Sequence, residues 1–281
     1  MKIGALASSL RKPLPATLKK FQEMGLCGVQ LLTSPEYLVF SDARLKEIRT
    51  MCADHGLEIS AVCGDIAQTH FGVTDEWQDR VDLFKKVVDV ANKLGTKVIT
   101  THIGVVPDDT ADPVFDIMVE SIGKSAEYSA ANDAVFAIET GPESAETLLK
   151  LLEAVNSKGL GINLDPANLR MVSRVDPAHA VNVIGKYIVH THAKDGINTY
   201  PGLAAATYGM RNPDGSLRKF EEKPATFQEV PLGQGQVPWD EYLAALKRAG
   251  YDGFLTIERE CGEDPEADIR LAMDFLKSKI S

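Results

Sequence analysis

No apolar run in this 281-residue chain approaches the roughly 18 to 20 residues that cross a bilayer, so no membrane span is predicted. The opening MKIGALASSL lacks a basic stretch ahead of a long apolar core, and it reads as a first strand rather than a secretion signal. Cysteine is scarce. Cys27, Cys52, Cys63 and Cys261 show neither CxxC spacing nor a zinc pattern, and free thiols in the cytoplasm are the expectation. Positive charge is short too: 30 Lys and Arg stand against 40 Asp and Glu, a formal net charge of -10. That argues against nucleic acid as a partner, because phosphate-backbone contacts need clustered cations. A small anionic substrate stays open, since one local basic residue can meet it. There is no low-complexity tract and no linker.

What the sequence does have is a repeating order of short apolar strand, loop and amphipathic helix. Strands are predicted at Lys2–Ala7, Gly28–Leu32, Ile59–Gly64, Lys97–Gly104, Val135–Thr140, Leu160–Asp165, Tyr187–His192 and Phe254–Glu258. Helices are predicted at Ala16–Met24, Asp42–His55 (Asp42 as N-cap, Gly56 as stop), Glu76–Leu94, Asp112–Ala131, Ser144–Asn156, Asp176–Ile184, Trp239–Ala249 and Pro265–Lys279. The helical period is clear in Val81, Phe84, Val87, Val88 and Ala91. Eight strands alternating with helices predict an α/β protein, a single (β/α)₈ barrel, and about 250 residues suffice for one such domain. One stretch breaks the rhythm. Gly196 to Pro238, after the seventh strand, is rich in Gly, Pro and charge. So long a loop is often functional, and it is expected over the C-terminal face as a lid, a substrate-binding insertion or an oligomer contact.

Side chains alternate across a strand, so one set faces the barrel axis and the other the helices. With Phe136 and Ile138 turned to the helices, Glu139 points inward at the end of strand five. The same test turns Asn163 and Asp165 inward on strand six, His190 and His192 on strand seven, and Thr256 and Glu258 on strand eight. On strand four, Val98, Thr100 and His102 share a face, which brings His102 toward the mouth. Glu139, Asp165, His192 and Glu258 thus converge where such barrels keep their chemistry. Taken singly, each has a plainer role: Asp165 before Pro166 reads as a turn residue, and His192 as a hydrogen-bonded core histidine. Taken together, three inward carboxylates repel one another unless a cation intervenes. Three oxygen ligands and one imidazole suit a divalent metal ion, with Mn²⁺ or Mg²⁺ favoured by the carboxylate excess and Co²⁺ or Zn²⁺ also compatible.

These residues resemble those of the sugar phosphate isomerase/epimerase family, the xylose-isomerase-like TIM barrels, over nearly the whole chain. The resemblance is carried by AIET (Ala137–Thr140), NLDPAN (Asn163–Asn168), HTHAKD (His190–Asp195) and the block PLGQGQVPW…GYDGFLTIERE between Pro231 and Glu260. The family's metal ligands, a Glu, an Asp, the second His of HxHxKD and a Glu, fall on Glu139, Asp165, His192 and Glu258. The resemblance implies a metal-dependent isomerase or epimerase acting on a sugar, sugar phosphate or keto-sugar. Glu139 and Glu258 would flank the substrate carbon. One would take a proton α to the carbonyl, giving a cis-enediolate, and the other would return one. Lys194 would steady the enediolate or a substrate oxygen, a salt bridge to Asp195 or another neighbour being the plainer alternative. His70, His102 and Asn168 are the remaining candidates for substrate contact. Family barrels also pair through their helices, so a homo-oligomer is compatible.

The chain departs from the family's ketose 3-epimerases at two positions that contact substrate there: Asn168 replaces a His and Asn198 an Arg. An Asn can hydrogen-bond a hydroxyl but cannot shuttle a proton, which leaves the substrate open. Three other readings remain. The same site could serve a lyase or dehydratase on a keto-inositol or 3-keto sugar, or the barrel could bind sugar without chemistry. A DNA-repair endonuclease of the superfamily would need a three-zinc cluster rich in His, against six His in all and a net charge of -10.

Overall fold

A computed structural model describes residues 1–66 and 70–280. Its elements follow the predicted rhythm: β1 Lys2–Leu6, α1 Leu14–Met24, β2 Gly28–Leu32, α2 Asp42–Asp54, β3 Glu58–Cys63, α3 Trp77–Leu94, β4 Val98–Thr101, α4 Pro113–Ala131, β5 Val135–Glu139, α5 Ala145–Val155 and β6 Leu160–Leu164. Then come the single turn α6 Pro166–Asn168, α7 Pro177–Ile184, β7 Ile188–Ala193, β8 Asp195–Tyr200, the single turn α8 Ala204–Thr207, β9 Thr226–Val230, α9 Trp239–Arg248, β10 Phe254–Ile257 and α10 Pro265–Ile280. Eight strands close into a barrel in the order β1, β10, β7, β6, β5, β4, β3, β2, and neighbouring strands are parallel. The fold is a (β/α)₈ TIM barrel whose eighth strand is β10.

The helix ends have local causes. Asp112, Ser144 and Asp176, where helices were expected to begin, are N-caps. Their side chains accept from the backbone N–H of Val114, Thr147 and Ala178. Asp42 is not the cap of α2. Ser41, one residue earlier, takes that role through the N–H of Arg44, and Asp42 is the first helical residue. Both are good capping residues, and only the backbone path decides between them. Gly95 ends α3 at φ +88°, which a residue with a Cβ adopts only under strain.

The main core lies between barrel and helices. Val81, Phe84, Val87, Val88 and Ala91 are all fully buried, and Phe84 stacks on Phe136 at 4.4 Å between ring centroids. That fixes the outward face of β5 and leaves Glu139 inside. Inside the barrel, the floor is filled by Phe254. A Cβ on Gly28 would lie 2.2 Å from its ring, so only glycine allows this packing.

The segment from Gly196 to Pro238 is not structureless. β8 and β9 pair antiparallel, Asp195 opposite Val230. The pairing is anchored at its base by Asp195, whose carboxylate accepts from the backbone N–H of Gly233 and Val237 and from Trp239 Nε1 at 3.0 to 3.2 Å. Farther out, Arg218 clamps both oxygens of Asp112 at the start of α4. Among the described residues, no helix is long and apolar enough to cross a membrane.

Candidate active site

At the C-terminal mouth, β5, β6, β7 and β10 bring Glu139, Asp165, His192 and Glu258 together, with one donor atom from each lying within 4.8 Å of the others. His192 Nδ1 is 3.4 Å from Glu139 Oε1, 3.5 Å from Asp165 Oδ2 and 3.2 Å from Glu258 Oε2. Asp165 is fully buried. Its Oδ1 accepts from the N–H groups of Ala167 and Asn168, while Oδ2 has no hydrogen-bond partner among the described residues. A buried carboxylate oxygen without a donor costs several kcal/mol, and this one faces two further carboxylates.

The charge balance of the cluster favours a cation among the carboxylates. Burial pushes the Asp165 carboxyl above its usual range. Burial also opposes charge on His192, yet the carboxylates of Glu258 and Glu139 overcome it and hold the imidazole well above its usual value. Glu258 is held well below the carboxylate range: burial works against this, but His192 and Lys194 outweigh it. The negative field of these carboxylates falls on the very nitrogen a metal would use. Donors about 2.1 Å from a small divalent ion lie at most about 4.2 Å apart, so shifts of a few tenths of an ångström would close these four residues on one. The donor set fits such an ion.

Behind the four lies an ordered polar layer. Gln30 Nε2 donates to Thr100 Oγ1 (3.0 Å), which leaves Gln30 Oε1 to accept from His192 Nε2 (3.1 Å). This hydrogen bond puts the ring's other nitrogen, Nδ1, toward the carboxylates, as in metal sites where a second partner fixes the histidine tautomer. Burial keeps His190 neutral. It donates from Nδ1 to Asn163 Oδ1 (2.9 Å) and accepts at Nε2 from Thr256 (3.0 Å). Asn163 in turn directs Nδ2 at Glu139 Oε2 (3.4 Å).

The other sequence candidates fall in different places. His102, just past β4, lies with Nε2 3.7 Å from Glu139 Oε1 and Nδ1 2.7 Å from Asp65 Oδ2. The Glu139 carboxylate, helped by Asp65, pushes it up to about 10. Asn168 Nδ2 reaches Glu139 Oε1 at 3.3 Å. Lys194 does not pair with Asp195. It bridges Glu258 (3.1 Å) and Glu260, because Asp195 is spent on the β8–β9 base. His70 stands apart from the cluster, with one ring nitrogen bound to Glu76 (2.7 Å) and the other accepting from Arg211 (3.1 Å). Gln30 beside His192, Asp65 beside His102 and Tyr208 on the cleft wall also border the cluster, and the sequence reading missed them. Inward alternation on GVQLL could have found Gln30. Tyr208 comes from the insertion, and nothing local marks it.

A cleft of about 640 Å³ opens beside the cluster, lined by His102, Glu139, Lys194 and Glu258 on the barrel side and by Tyr208 and Phe227 of the insertion. A metal-fit cluster in an open cleft at the C-terminal mouth of a (β/α)₈ barrel describes a class. The family is settled by comparison: residues 18–279 match the model of the xylose isomerase-like TIM barrel family, and the chain belongs to it. It is 27% identical to the uncharacterized protein YfiH of Bacillus subtilis over 276 aligned residues, 89% of this chain and 84% of that one. A xylose isomerase domain protein from Planctomyces limnophilus superposes with a TM-score of 0.81 at 26% identity, covering 99% of this chain and 95% of the other. A D-psicose 3-epimerase shares the fold with a TM-score of 0.75 at 16% identity, covering 100% and 99%.

Proposed function

We propose that the protein is a divalent-metal-dependent sugar isomerase or epimerase, working by proton transfer through a cis-enediolate. The carrying observation is the buried convergence of three carboxylates on His192 Nδ1, with Asp165 Oδ2 left without a donor. Glu139, Asp165, His192 and Glu258 would hold the ion, Mn²⁺ or Mg²⁺ by their oxygen-rich donor set. When bound, it would polarise a substrate carbonyl and gather adjacent oxygens.

The chain's own residues supply the rest. Glu139 and Glu258 both line the cleft, and in the strand order β10, β7, β6, β5 they stand at the ends of the two outer strands of the four that carry the cluster. One takes the proton α to the carbonyl and the other, as its acid, delivers a proton to the opposite face or to the neighbouring carbon. Glu139 keeps its orientation through Asn163 and Asn168, and Glu258 through Lys194. Lys194 brings positive charge and His102 a ring nitrogen to the cleft wall, where an enediolate oxygen carries negative charge. A small-molecule sugar is the partner in this reading. The D-psicose 3-epimerase likeness supports the same class of chemistry.

The test is proton exchange. Mn²⁺-loaded protein is incubated in D₂O with a panel of ketoses, keto-inositols and 3-keto sugars, and NMR follows deuterium at the carbon α to the carbonyl. Exchange should fall by about 10²- to 10⁴-fold in Glu139→Gln and in Glu258→Gln, and should vanish with EDTA. Epimer or isomer products support the proposal, whereas an eliminated product would make the protein a lyase with the same site. Activity that survives both substitutions would sink the reading.

A further inference from the structure

We propose that the cleft contains a second ring subsite outside the metal pocket, and that the substrate is a glycoside whose second ring stacks on Phe227. This rests on the acid–base reading above and adds what else the same substrate carries.

Size comes first. A six-carbon sugar has twelve non-hydrogen atoms. At roughly half the ~30 Å³ that a water molecule takes in the liquid, each, they fill roughly 180 Å³. The cleft offers about 640 Å³. A monosaccharide on the four donors leaves most of it open, and a second ring with its linkage, roughly 165 Å³ more by the same measure, fits in what remains.

The outer wall has the chemistry for that ring. It is built from Phe227, Gln228 and Pro231 of the insertion and from Cys261 and Gly262 after β10. None of these supplies an acid–base pair, so this end binds rather than reacts. Phe227 is 46% exposed and sits between the polar Thr226 and Gln228 on the cleft wall. A half-exposed aromatic ring on the wall of a cleft that also gathers convergent polar groups offers a ligand a stacking surface. Its flat apolar face suits the C–H face of a sugar or an aromatic aglycone.

The wall is also fixed in advance. Phe227 and Glu229 are two apart on β9 and share a face. Glu229 is buried under the loop after β10, where it takes Arg259 Nη1 and the backbone N–H of Glu260 (3.1 Å). That anchor turns the shared face, and Phe227 with it, over the cleft. A platform already in place binds without the cost of ordering a loop.

The experiment separates this from the acid–base reading because it needs no turnover. Binding of methyl β-D-glucopyranoside and phenyl β-D-glucopyranoside to Mg²⁺-loaded protein is titrated by saturation-transfer NMR. The phenyl glycoside should bind about tenfold tighter, ~1.4 kcal/mol. Phe227→Ala should bring the ratio near one, and Phe227→Trp should keep it. A wild-type ratio near one, no binding of either glycoside, or a preference that survives Phe227→Ala overturns the subsite. So does a Phe227→Ala protein whose sedimentation reveals a lost contact between copies. A preserved preference in protein that never exchanges α-protons would support the subsite while sinking the isomerase reading.

Discussion

Replacing Gln30 with Met keeps nearly the same volume and removes one amide. Gln30 is 1% exposed and sits between Thr100 and His192. The substitution leaves His192 Nε2–H and the Thr100 hydroxyl without these partners. Each buried polar group so orphaned costs about 1–3 kcal/mol, and the apolar burial of Met returns part of that. A net loss of about 2 kcal/mol in the metal-free protein is expected, roughly 4 to 8 °C in melting temperature. The metal should suffer separately. Losing the partner that orients a ligand histidine lowers affinity about 10- to 100-fold, or ~1.4 to 2.7 kcal/mol. Calorimetric Mn²⁺ titration reads the affinity, and thermal scans with and without EDTA read the stability. Gln30→Glu, which keeps an acceptor at that point, should bind Mn²⁺ more tightly than Gln30→Met. If Gln30→Met binds Mn²⁺ within threefold of the wild type, Gln30 does not orient His192 and the argument fails.

Mn²⁺ at a hundred times its Kd should stabilise the wild type by about 2.7 kcal/mol, and EDTA should reverse this. Asp165→Asn should abolish that gain while raising the melting temperature of the metal-free protein, because one of three crowded carboxylates is gone and the Asn oxygen can still cap Ala167 and Asn168. Glu143 is buried, and burial raises its carboxyl to about 7. Between about pH 4.5 and 7 the unfolded chain loses that proton and the folded one keeps it, so stability falls as pH rises through this window, by on the order of 3 kcal/mol. Denaturant titrations of Glu143→Gln, which can still accept from Val106, should show a flatter profile there and a more stable protein at pH 8. Arg218→Ala should cost no more than about 1 kcal/mol globally, since the pair with Asp112 is partly exposed. Hydrogen exchange should nonetheless quicken around residues 204–218 and leave the barrel strands unchanged.

The four convergent residues were legible because each rides on a strand whose apolar partners declare its orientation. Phe136 and Ile138 commit Glu139 to the inside, and Ile162 and Leu164 do the same for Asp165. Gln30 was legible by the same rule, but in GVQLL a lone inward amide carries no charge whose burial demands an explanation. The β8–β9 pairing was hidden for another reason. Asp195–Tyr200 is largely polar, and its partner lies some 25 residues away, so neither strand shows the apolar alternation that reveals a half-buried hairpin. Its anchors, Glu229 to Arg259 and Arg218 to Asp112, are long-range ion pairs that no local pattern encodes. Lys194 has three acidic groups in reach of its sequence or fold and pairs with the two distant ones, Glu258 and Glu260, because its sequence neighbour Asp195 has four N–H donors to satisfy.

The insertion is tied to the chemistry at both ends. Asp195 opens β8 directly after Lys194, and Glu229 of β9 grips Arg259 directly after Glu258. Arg259 also holds Asp268 of α10 at 2.8 Å. A hairpin swinging outward would drag Lys194 and Glu258 with it and dismantle the pocket it was opening. Tied at both ends, it is built as a fixed wall, and besides the cleft along it a second opening of about 320 Å³, bordered by Ser8, Arg11, Leu32 and Cys63, reaches His192 and Glu258. The consequence is kinetic: turnover should not wait on a slow gating motion, and solvent viscosity, which slows diffusion through an open door, should weigh on the rate more than any stiffening of the hairpin does.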